Sequence, residues 1–436
     1  MNRRVVVTGL GWVTPLGRDV DAAFDAMLDG RSGLALHRVG AGEPSYEVVA
    51  GICREFDPVA EFGKPRSNQM DRFSQLGLAA ATDAWSMAGL EYMSPAARET
   101  ASVHWGTGVG ATATMDRGYQ DLLVNKKARI SPLSIVLGMH NAAASHIALA
   151  LGLGGPCSTH SVACASAAMA IGQAFHAIRA GATDVAVAGG SDAPFGLGSV
   201  AAWKSLQVLA EGDQASAPRA CRPFSADRAG LVLAEAGAAL VLEDYEHARA
   251  RGATILAEML GFGASCDHSH LTKPSQDGQV RALRAVLRDA HLVPKDVQYV
   301  NAHGTATPEG DPTEIAALRA VFEADAAALS VSATKSMHGH AMGAAGALEA
   351  CITVMSLRRQ RIPPTAGCEE VDVSCQGVRH VLGVGQDAAD LRVALSSSFA
   401  FGGSNAVLGF GQPGRWKLPW RDGCELPHSC VLRRAE

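Results

Sequence analysis

The chain has 436 residues, a hydrophobic content of 47% and a formal net charge of −5 at pH 7. The hydrophobic content indicates a substantial core, and the length allows one large α/β domain or two. The mild negative charge gives no basic stripe of the kind that nucleic-acid binding usually requires, and no apolar stretch approaches the ~20 residues of a membrane-spanning helix.

The amino terminus begins with two arginines and the strand-like run VVVTGLG, whose apolar part is too short for the core of a signal peptide. The ten cysteines form no CxxC pair and no regular framework, which argues against a disulfide scaffold and a zinc ribbon. We therefore expect a soluble, cytoplasmic protein with reduced thiols.

Short runs rich in β-branched residues alternate along the chain with longer helical patterns. The strand-like runs are RRVVVTGLG, TDVAVAGGSD, VQYVNAHGT, LSVSATKS and LRVALSSSFAFGG. This alternation predicts a layered α/β fold with buried sheets. The first run weakly resembles TILAEMLGFG at residues 254–263, as two similar halves would, and periodicity is lost after Gly411, which predicts a surface extension.

Cys164 lies in the run SVACASAAMA, just before a predicted helix. Ala168, Ile171, Phe175 and Ile178 follow at intervals of three, four and three residues, which places them on one helix face. At a helix start, unpaired N–H groups and the helix dipole favour a thiolate and lower its pKa. This position suits a nucleophile, although a buried cysteine that only fills the core would also fit there.

The loop HGTATPEGDPTE follows a predicted strand that ends near Asn301. It carries His303 at the edge of a sheet, where open α/β folds place their sites, together with two threonines that can donate to a ligand. Asp311 and Glu314 stand around a proline at the start of a helical pattern, so we interpret both carboxylates as a helix cap and its capping-box partner.

The segment SATKSMHGHAMGAAGALEA delivers Lys335 from a strand, His338 and His340 from a turn, and Glu349 from a helix. Lys335 and Glu349 would be costly to bury singly, so we expect them to pair. The two histidines stand two residues apart, but no nearby carboxylate or thiolate completes a zinc ligand set. The segment CDHSHLTKP at Cys266 has the same defect, so we predict no metal site.

The run FAFGGSN combines aromatic side chains with a glycine pair near the end of the chain. The glycines allow a tight turn, so backbone N–H groups can face a pocket and form half of an oxyanion hole. An ordinary turn between two strands with a core phenylalanine is the alternative.

Taken together, the cysteine at a helix start, NAHGTATPEGD, TKSMHGHAMGAAGALE and FAFGGSN resemble the ordered motifs of the β-ketoacyl-[acyl-carrier-protein] synthases. The resemblance is strongest to the elongating synthase II type and covers roughly residues 3–411. It implies an α/β thiolase fold, with two similar βαβαβαββ halves that form a five-layered αβαβα core. We expect these halves at residues 1–255 and 256–411, with the surface extension at 412–436.

The same resemblance implies an acyltransferase that performs a decarboxylative Claisen condensation. An acyl-enzyme thioester reacts with malonyl-[acyl-carrier-protein] and gives a 3-oxoacyl-carrier for fatty acid, polyketide or polyene synthesis. By motif, Cys164 matches the acylated nucleophile, and His303 and His340 match the pair that serves decarboxylation. Lys335 matches the lysine that fixes the histidine geometry, with Glu349 as its neighbour.

The resemblance further assigns the binding of the carrier arm and the gate of the site. Thr305 and Thr307 match hydroxyls that hold the phosphopantetheine of the carrier. Phe399 matches a gating phenylalanine whose amide joins that of Cys164 in an oxyanion hole.

The sequence departs from the family pattern at several positions, among them the start VACASA in place of a Thr-Ala-Cys start and AFGGSN in place of GFGGTN. His338 replaces a threonine, Leu231 replaces an aromatic residue, and Ala400 replaces a hinge glycine. A β-carbon excludes much of the positive-φ space that is open to glycine, so we expect Ala400 to stiffen the gate. These departures bear on substrate range and gating, because the cysteine, both histidines and the lysine are all kept.

Acyl carrier protein is the expected partner, with no cofactor of the enzyme's own and no nucleic-acid or membrane partner. A local basic rim is one basis for carrier binding, and scattered solvated charges are the alternative. The candidate rim residues are Lys64, Arg66, Lys126, Lys127, Arg129 and Lys204. A homodimer is expected, with a heterodimer with a related subunit as the other possibility.

Two other functions compete with an elongating synthase. A thiolase or initiating synthase would use a different residue set, notably Cys-His-Asn in the initiators, whereas this chain offers two histidines. A non-catalytic chain-length-determining subunit characteristically lacks the cysteine, which Cys164 argues against.

Overall fold

The computed structural model describes residues 3–40 and 42–414 and has the mixed α/β content that the sequence predicts. The strands are β1 (Val5–Val13), β2 (Leu34–Val39), β3 (Tyr46–Gly51), β4 (Ser102–Gly106), β5 (Cys157–His160), β6 (Val185–Asp192), β7 (Leu233–Ala234), β8 (Ala236–Asp244), β9 (Ala257–Cys266), β10 (Tyr299–Asn301), β11 (Ser330–Ser332), β12 (Arg361–Ile362), β13 (Arg379–His380), β14 (Gln386–Asp387), β15 (Val393–Phe399) and β16 (Ser404–Gly411). The α-helices are α1 (Val20–Leu28), α2 (Pro58–Phe62), α3 (Lys64–Ser67), α4 (Arg72–Met87), α5 (Pro95–Arg98), α6 (Thr112–Tyr119), α7 (Ser134–Gly138), α8 (Ala142–Leu151), α9 (Ser166–Arg179), α10 (Leu197–Ser205), α11 (Tyr245–Ala250), α12 (Gln276–Asp289), α13 (Gly310–Phe322), α14 (Lys335–His338) and α15 (Ala345–Arg359).

Eleven strands form one continuous sheet in the order β13-β11-β10-β15-β16-β9-β1-β8-β6-β4-β5. Two halves of this sheet repeat one topology outward from the central antiparallel pair of β1 and β9. In the first half β8 is antiparallel to β1 and β6, while β6, β4 and β5 are parallel. In the second half β16 is antiparallel to β9 and β15, while β15, β10 and β11 are parallel.

Helices cover the outer face of each half-sheet, and two further helices lie between the half-sheets. Helices α9 and α15 pack on each other and on strands of both halves, and they form the middle layer. Helices α4 and α8 cover the first half from outside, and α12 and α13 cover the second. The arrangement confirms the five-layered αβαβα core that the sequence predicts.

Small residues let the two central helices begin side by side. A Cβ at Gly346, in the first turn of α15, would lie 2.9 Å from the backbone nitrogen of Ala168, in the first turn of α9. Such an approach leaves room only for a hydrogen at position 346. It brings Cys164, just before α9, next to the segment before α15, which carries His340.

Among the described residues, no helix is long and apolar enough to cross a membrane, and all eight cysteines are unpaired. His338 lies on the short helix α14, not on the expected turn. Residues 415–436 of the predicted extension lie outside the described residues.

Gly346→Ala is expected to destabilise the protein, because the added Cβ would press on the backbone and the Cβ of Ala168 at 2.9 Å. Overpacking of this kind costs about 1–3 kcal/mol. Gly42→Ala is the matched control, since no atom lies within 4 Å of its Cβ position. Urea unfolding of both variants measures the effect, and equal midpoints would contradict the close packing of α9 on α15.

Candidate active site

A cavity of about 420 Å³ opens at the start of α9, and both halves of the fold contribute to its walls. Cys164 comes from the first half. His303, Thr305, His340 and Phe399 come from the second half. The structure therefore brings together residues that the sequence keeps as much as 235 positions apart, from Cys164 to Phe399.

Cys164 lies two residues before α9 and is only 6% exposed. Its backbone is preceded by Ala163 at a φ of +49°, a left-handed conformation that non-glycine residues seldom adopt. Three hydrogen-bond donors face the sulfur. His340 Nε2 lies 3.0 Å from Sγ, and the backbone N–H groups of Phe401 and of Cys164 itself complete the set.

Burial raises the pKa of the Cys164 thiol to about 11. The expectation that the helix start lowers this pKa is therefore wrong, because the loss of solvation outweighs the favourable contacts. The positive charge of Lys335 and the Phe401 N–H oppose the rise, while the nearby carboxylate of Asp192 adds to it. At neutral pH the resting residue is a protonated thiol.

The two site histidines have defined tautomers, because a donor faces Nδ1 of each ring. The backbone N–H of Met342 donates to His340 Nδ1 at 3.2 Å, and the ammonium of Lys335 donates to His303 Nδ1 at 3.3 Å. A neutral imidazole that accepts at Nδ1 carries its proton at Nε2. The His340 Nε2–H therefore donates to Cys164 Sγ.

Both rings also stay neutral. Burial, and then the charge of Lys335, lower the pKa of His303 and of His340 well below the ordinary value. The ring centroids lie 5.4 Å apart in an edge-to-face arrangement. The cavity is therefore lined by two fixed N–H donors that need no protonation change to bind a developing negative charge.

Lys335 is fully buried and its ammonium is held by three groups. It donates to the carbonyl oxygen of His303 at 2.5 Å and to His303 Nδ1, and it forms an ion pair with Glu349 of α15. The expected pair of Lys335 and Glu349 is thus present. Burial raises the pKa of Glu349 to about 7, and the charge of Lys335 opposes that rise.

Asp311 and Glu314 do not cap α13, contrary to the expectation from the sequence. The helix begins at Gly310, and its capping residue makes no side-chain hydrogen bond. The two carboxylates are buried and instead accept backbone N–H groups of the neighbouring loop. Asp311 accepts from Thr305, Ala306 and Phe224, and Glu314 accepts from His303 and Gly304.

These bonds hold the loop that presents His303 in one conformation. Within that loop the hydroxyls of Thr305 and Thr307 lie 3.0 Å apart and both residues line the cavity. A positive φ of +63° at Ala306 turns the loop between them. The pair therefore offers neighbouring hydroxyls on the wall of the cavity, in front of the histidines.

The predicted gate residue needs a correction. The amide that faces Cys164 Sγ belongs to Phe401, whereas Phe399 is the last residue of β15 and is paired with Asn405 of β16. The ring of Phe399 lines the cavity edge-to-face with His303, at 6.2 Å between centroids. The sequence offers two phenylalanines in FAFGGSN, and only the tertiary contact selects between them.

Ala400 also differs from its expectation. It is absent from the residues with positive φ, while Gly402 and Gly403 have φ values of +85° and +80°. The conformational freedom of glycine is therefore used two positions later than expected. Ala400 instead packs partly buried against the apolar cluster around Cys164.

Asp192 is a site residue that the sequence reasoning missed. It ends β6, is fully buried, and accepts from the Thr107 hydroxyl at 2.6 Å and from the backbone N–H groups of Gly108 and Gly343. It thereby ties the first half to the segment just after His340. Its signal in the sequence is the polar end of the buried strand TDVAVAGGSD.

The residues most suited to a metal are the site residues themselves. Among the described residues, the one group of three or more metal-ligand types with donor atoms within 4.8 Å of one another is Cys164, His303 and His340. A thiolate and two imidazoles are ordinary zinc ligands. The Lys335 ammonium, 3.3 Å from His303 Nδ1, opposes a divalent cation there. His338 is outside this group, because its ring bonds Gly339 and Thr334.

Comparisons with known proteins agree over nearly the whole chain. The family model described as beta-ketoacyl synthase, N-terminal domain, matches residues 2–248, and the C-terminal domain model matches residues 256–369. Nodulation protein E of Rhizobium sp. (strain N33) is 42% identical over 94% of this chain and 100% of its own length. The 3-oxoacyl-[acyl-carrier-protein] synthase 2 of Staphylococcus aureus (strain COL) is 36% identical over 94% of this chain and 98% of its own.

A solved structure shows the same thiolase-type architecture. The ishigamide ketosynthase/chain length factor superposes with a TM-score of 0.86 and 32% identity, over 95% of this chain and 100% of that chain.

Alkylation of Cys164 by iodoacetamide is expected to rise about tenfold per pH unit up to pH 10, because burial raises its pKa to about 11. An ordinary cysteine, with a pKa near 8.5, levels off by about pH 9. Peptide mass spectrometry measures the labelling of this one site, with glutathione as the control thiol and circular dichroism to verify folding. A plateau in the labelling of Cys164 below pH 9 would show that burial does not raise its pKa and would contradict this prediction.

Proposed function

The chain belongs to the β-ketoacyl synthase family, and on that premise we propose how its residues carry out the condensation. The family reaction joins an acyl chain to a malonyl unit on acyl carrier protein and releases a 3-oxoacyl-carrier. The observation that carries the assignment of roles is the meeting of one buried thiol and two neutral imidazoles in a single cavity.

In the first half-reaction, Cys164 Sγ attacks the carbonyl carbon of the acyl-carrier thioester. The bond from that carbon to the phosphopantetheine sulfur breaks, and the acyl group remains on Cys164. The N–H groups of Cys164 and Phe401, which face Sγ, are placed to stabilise the oxyanion of the tetrahedral intermediate. The proton of the resting Cys164 thiol is transferred to the phosphopantetheine sulfur, which leaves as a free thiol.

In the second half-reaction, malonyl-carrier occupies the same cavity. Its carboxylate leaves as carbon dioxide, and the electron pair becomes an enolate on the thioester. The Nε2–H groups of His303 and His340 stabilise the oxygen of this enolate. The carbanion attacks the acyl carbonyl, and the Cys164 sulfur leaves, which gives the 3-oxoacyl-carrier.

Lys335, Glu349, Asp311 and Glu314 are assigned a supporting role. The Lys335 ammonium donates a hydrogen bond to His303 Nδ1, and this bond holds the ring in the Nε2–H tautomer. Asp311 and Glu314 fix the loop that carries His303. These groups position the donors.

Acyl carrier protein is the proposed macromolecular substrate, and its phosphopantetheine arm is proposed to reach Cys164 along the cavity. The hydroxyls of Thr305 and Thr307 on the cavity wall are suited to the amide groups of that arm. Lys204 directly follows Trp203, which lines the cavity, and Lys273 lies on its wall. We assign Lys204 of the predicted basic rim, together with Lys273, which that rim did not include, to the binding of an acidic carrier.

A specialised acyl chain is the proposed substrate class. Identity is higher to proteins named nodulation protein E than to those named 3-oxoacyl-[acyl-carrier-protein] synthase 2. The apolar cluster around Cys164 contains Leu231, where the family pattern has an aromatic residue. Turnover with a panel of acyl-carriers of different length and unsaturation distinguishes this class from ordinary saturated chains.

A second subunit is proposed to cover one apolar face of the protein. β5 is the terminal strand of the large sheet, which leaves one edge without a partner among the described residues. Many large apolar side chains between β4 and β5 are exposed, including Tyr119, Leu123, Val124, Ile135 and Val136. A second copy of this chain is the proposed partner, and a related subunit, as in a ketosynthase/chain length factor, is the alternative. Such an assembly acts in the cytoplasm, as the sequence predicts.

Cys164→Ala is expected to abolish acyl transfer, because no other cysteine of the described residues lines the cavity. His340→Ala is expected to retain acyl-enzyme formation, since its Nε2–H donates to sulfur and is not a base in this tautomer. Loss of one donor to the enolate should slow release of carbon dioxide by about 10²–10³-fold. Intact-protein mass spectrometry after exposure to acyl-carrier, with a carbon dioxide assay on malonyl-carrier, separates the two steps.

Two outcomes would contradict this division of roles. An acyl adduct that persists in Cys164→Ala would remove the nucleophile assignment. Full decarboxylation by His340→Ala would remove the assignment of His340 to the second step.

The double variant Lys204→Glu/Lys273→Glu is expected to raise KM for carrier-linked substrate and to weaken its dependence on ionic strength, because attraction between exposed charges is screened by salt. The kcat should change less, since neither side chain contacts Cys164, His303 or His340. Lys295→Glu, an exposed lysine outside the cavity wall, is the control. Equal KM and equal salt dependence in the double variant and in the control would contradict the assignment of carrier binding to Lys204 and Lys273.

A further inference from the structure

Trp203 packs its ring against the ring of Phe401, and this contact has no role in the chemistry assigned above. The ring centroids lie 6.3 Å apart with 24° between the ring planes, which is the geometry of an offset stack. Both rings are half-buried at the wall of the cavity. The stack joins α10 of the first half to the turn after β15 in the second half.

The turn that carries Phe401 depends on two successive glycines. Gly402 and Gly403 follow with φ values of +85° and +80°, so two successive residues use conformations that favour glycine. The Gly402 N–H donates to the carbonyl of Leu271 at 2.7 Å, in a loop at the cavity wall. The N–H of Phe401 faces the Cys164 sulfur and favours its ionised form. The ring of Phe401 is thus held from one side by Trp203 and its turn from the other by the Leu271 loop.

Trp203 also belongs to the apolar cluster that surrounds Cys164. Leu231, Leu233 and Met342 are the buried members besides the cysteine, and Trp203 and Ala400 pack against them. The family pattern has an aromatic side chain at position 231, where this chain has leucine. Trp203 of α10 therefore brings an aromatic ring to the cluster that has leucine at position 231.

We propose that Trp203 is a positioning residue that latches Phe401 in place, so that the Phe401 amide stays on the reacting group at Cys164 and the cavity stays closed to water. This inference rests on the proposed role of Cys164 as the acylated nucleophile. Movement of Phe401 away from Trp203 would open the cavity and withdraw one oxyanion donor at the same time. The latch therefore couples access to the site with its competence for acyl transfer.

The position of Trp203 also connects the latch to the carrier surface. Lys204 is the next residue on α10 and is exposed. A carrier that binds Lys204 lies one residue from the latch, so docking and release of the carrier can act on Phe401 through one helix. The physical size of the effect follows from the stack, because an aromatic pair shifts an equilibrium by roughly two- to tenfold.

The test follows the lifetime of the acyl-enzyme in Trp203→Ala, Trp203→Phe and wild type. Each protein is acylated with an acyl-carrier, freed from excess substrate and sampled by intact-protein mass spectrometry. Trp203→Ala should lose its acyl group to water about two- to tenfold faster and should acylate more slowly by a similar factor. Trp203→Phe keeps a ring on Phe401 and should restore both rates.

Tyr92→Ala is the matched control, because this aromatic side chain is 97% exposed and lies outside the cavity wall. It should behave as wild type, and thermal unfolding verifies that all variants are folded. If wild type forms no adduct, the proposed role of Cys164 fails. If wild type forms one and Trp203→Ala has the same lifetime, or if Trp203→Phe is no better than Trp203→Ala, the latch is wrong and the nucleophile assignment stands.

Discussion

Lys335 is fully buried, and its ammonium group is the centre on which the site depends. It is held by Glu349 on α15 and by the carbonyl oxygen and Nδ1 of His303. Its charge helps to keep His303 and His340 neutral and opposes the rise in the pKa of Cys164 that burial causes. Removing either partner of a buried ion pair leaves an uncompensated charge, so the pair can be kept only as a whole.

The buried carboxylates near Lys335 lower the stability of the fold, and they hold hydrogen-bond donors of the site in fixed positions. Asp311 and Glu314 are buried carboxylates whose pKa is raised by burial, to about 6 and about 7. They accept hydrogen bonds from backbone N–H groups of the His303 loop, and Asp311 also accepts from Phe224. The loop that carries His303 is therefore held in one conformation while charge develops beside it. Donors that are already oriented need no reorganisation during the reaction, which is the main source of electrostatic catalysis in a dry cavity.

The duplicated fold explains why the reaction residues come from both halves. The middle helices α9 and α15 begin side by side at Ala168 and Gly346. The segment before α9 carries the thiol, and the segment before α15 carries His340. Asp192 and Trp203 of the first half then reach the second half, at Gly343 and Phe401. Under the proposed roles, one half presents the acyl group while the other binds the malonyl unit.

The sequence by itself determined the layered fold, the helix start at Cys164, the His303 loop and the pair of Lys335 and Glu349, because each is encoded by local periodicity or by the cost of burying a lone charge. Motif order then identified the family. The other features of the site depended on contacts between distant segments of the chain. The DPTE pattern reads as a cap, yet its carboxylates turn to a loop, since buried backbone N–H groups must be paired.

The pKa of the Cys164 thiol also depends on contacts between distant segments. A helix start is visible in the sequence, whereas the loss of solvent that raises the pKa of Cys164 to about 11 exists only once the layers close. The choice of Phe401 over Phe399, and the stack of Trp203 on Phe401, were likewise decided by the tertiary structure. Strand pairing sets which amide in FAFGGSN is free to face the sulfur, and no pattern of residue types records that pairing.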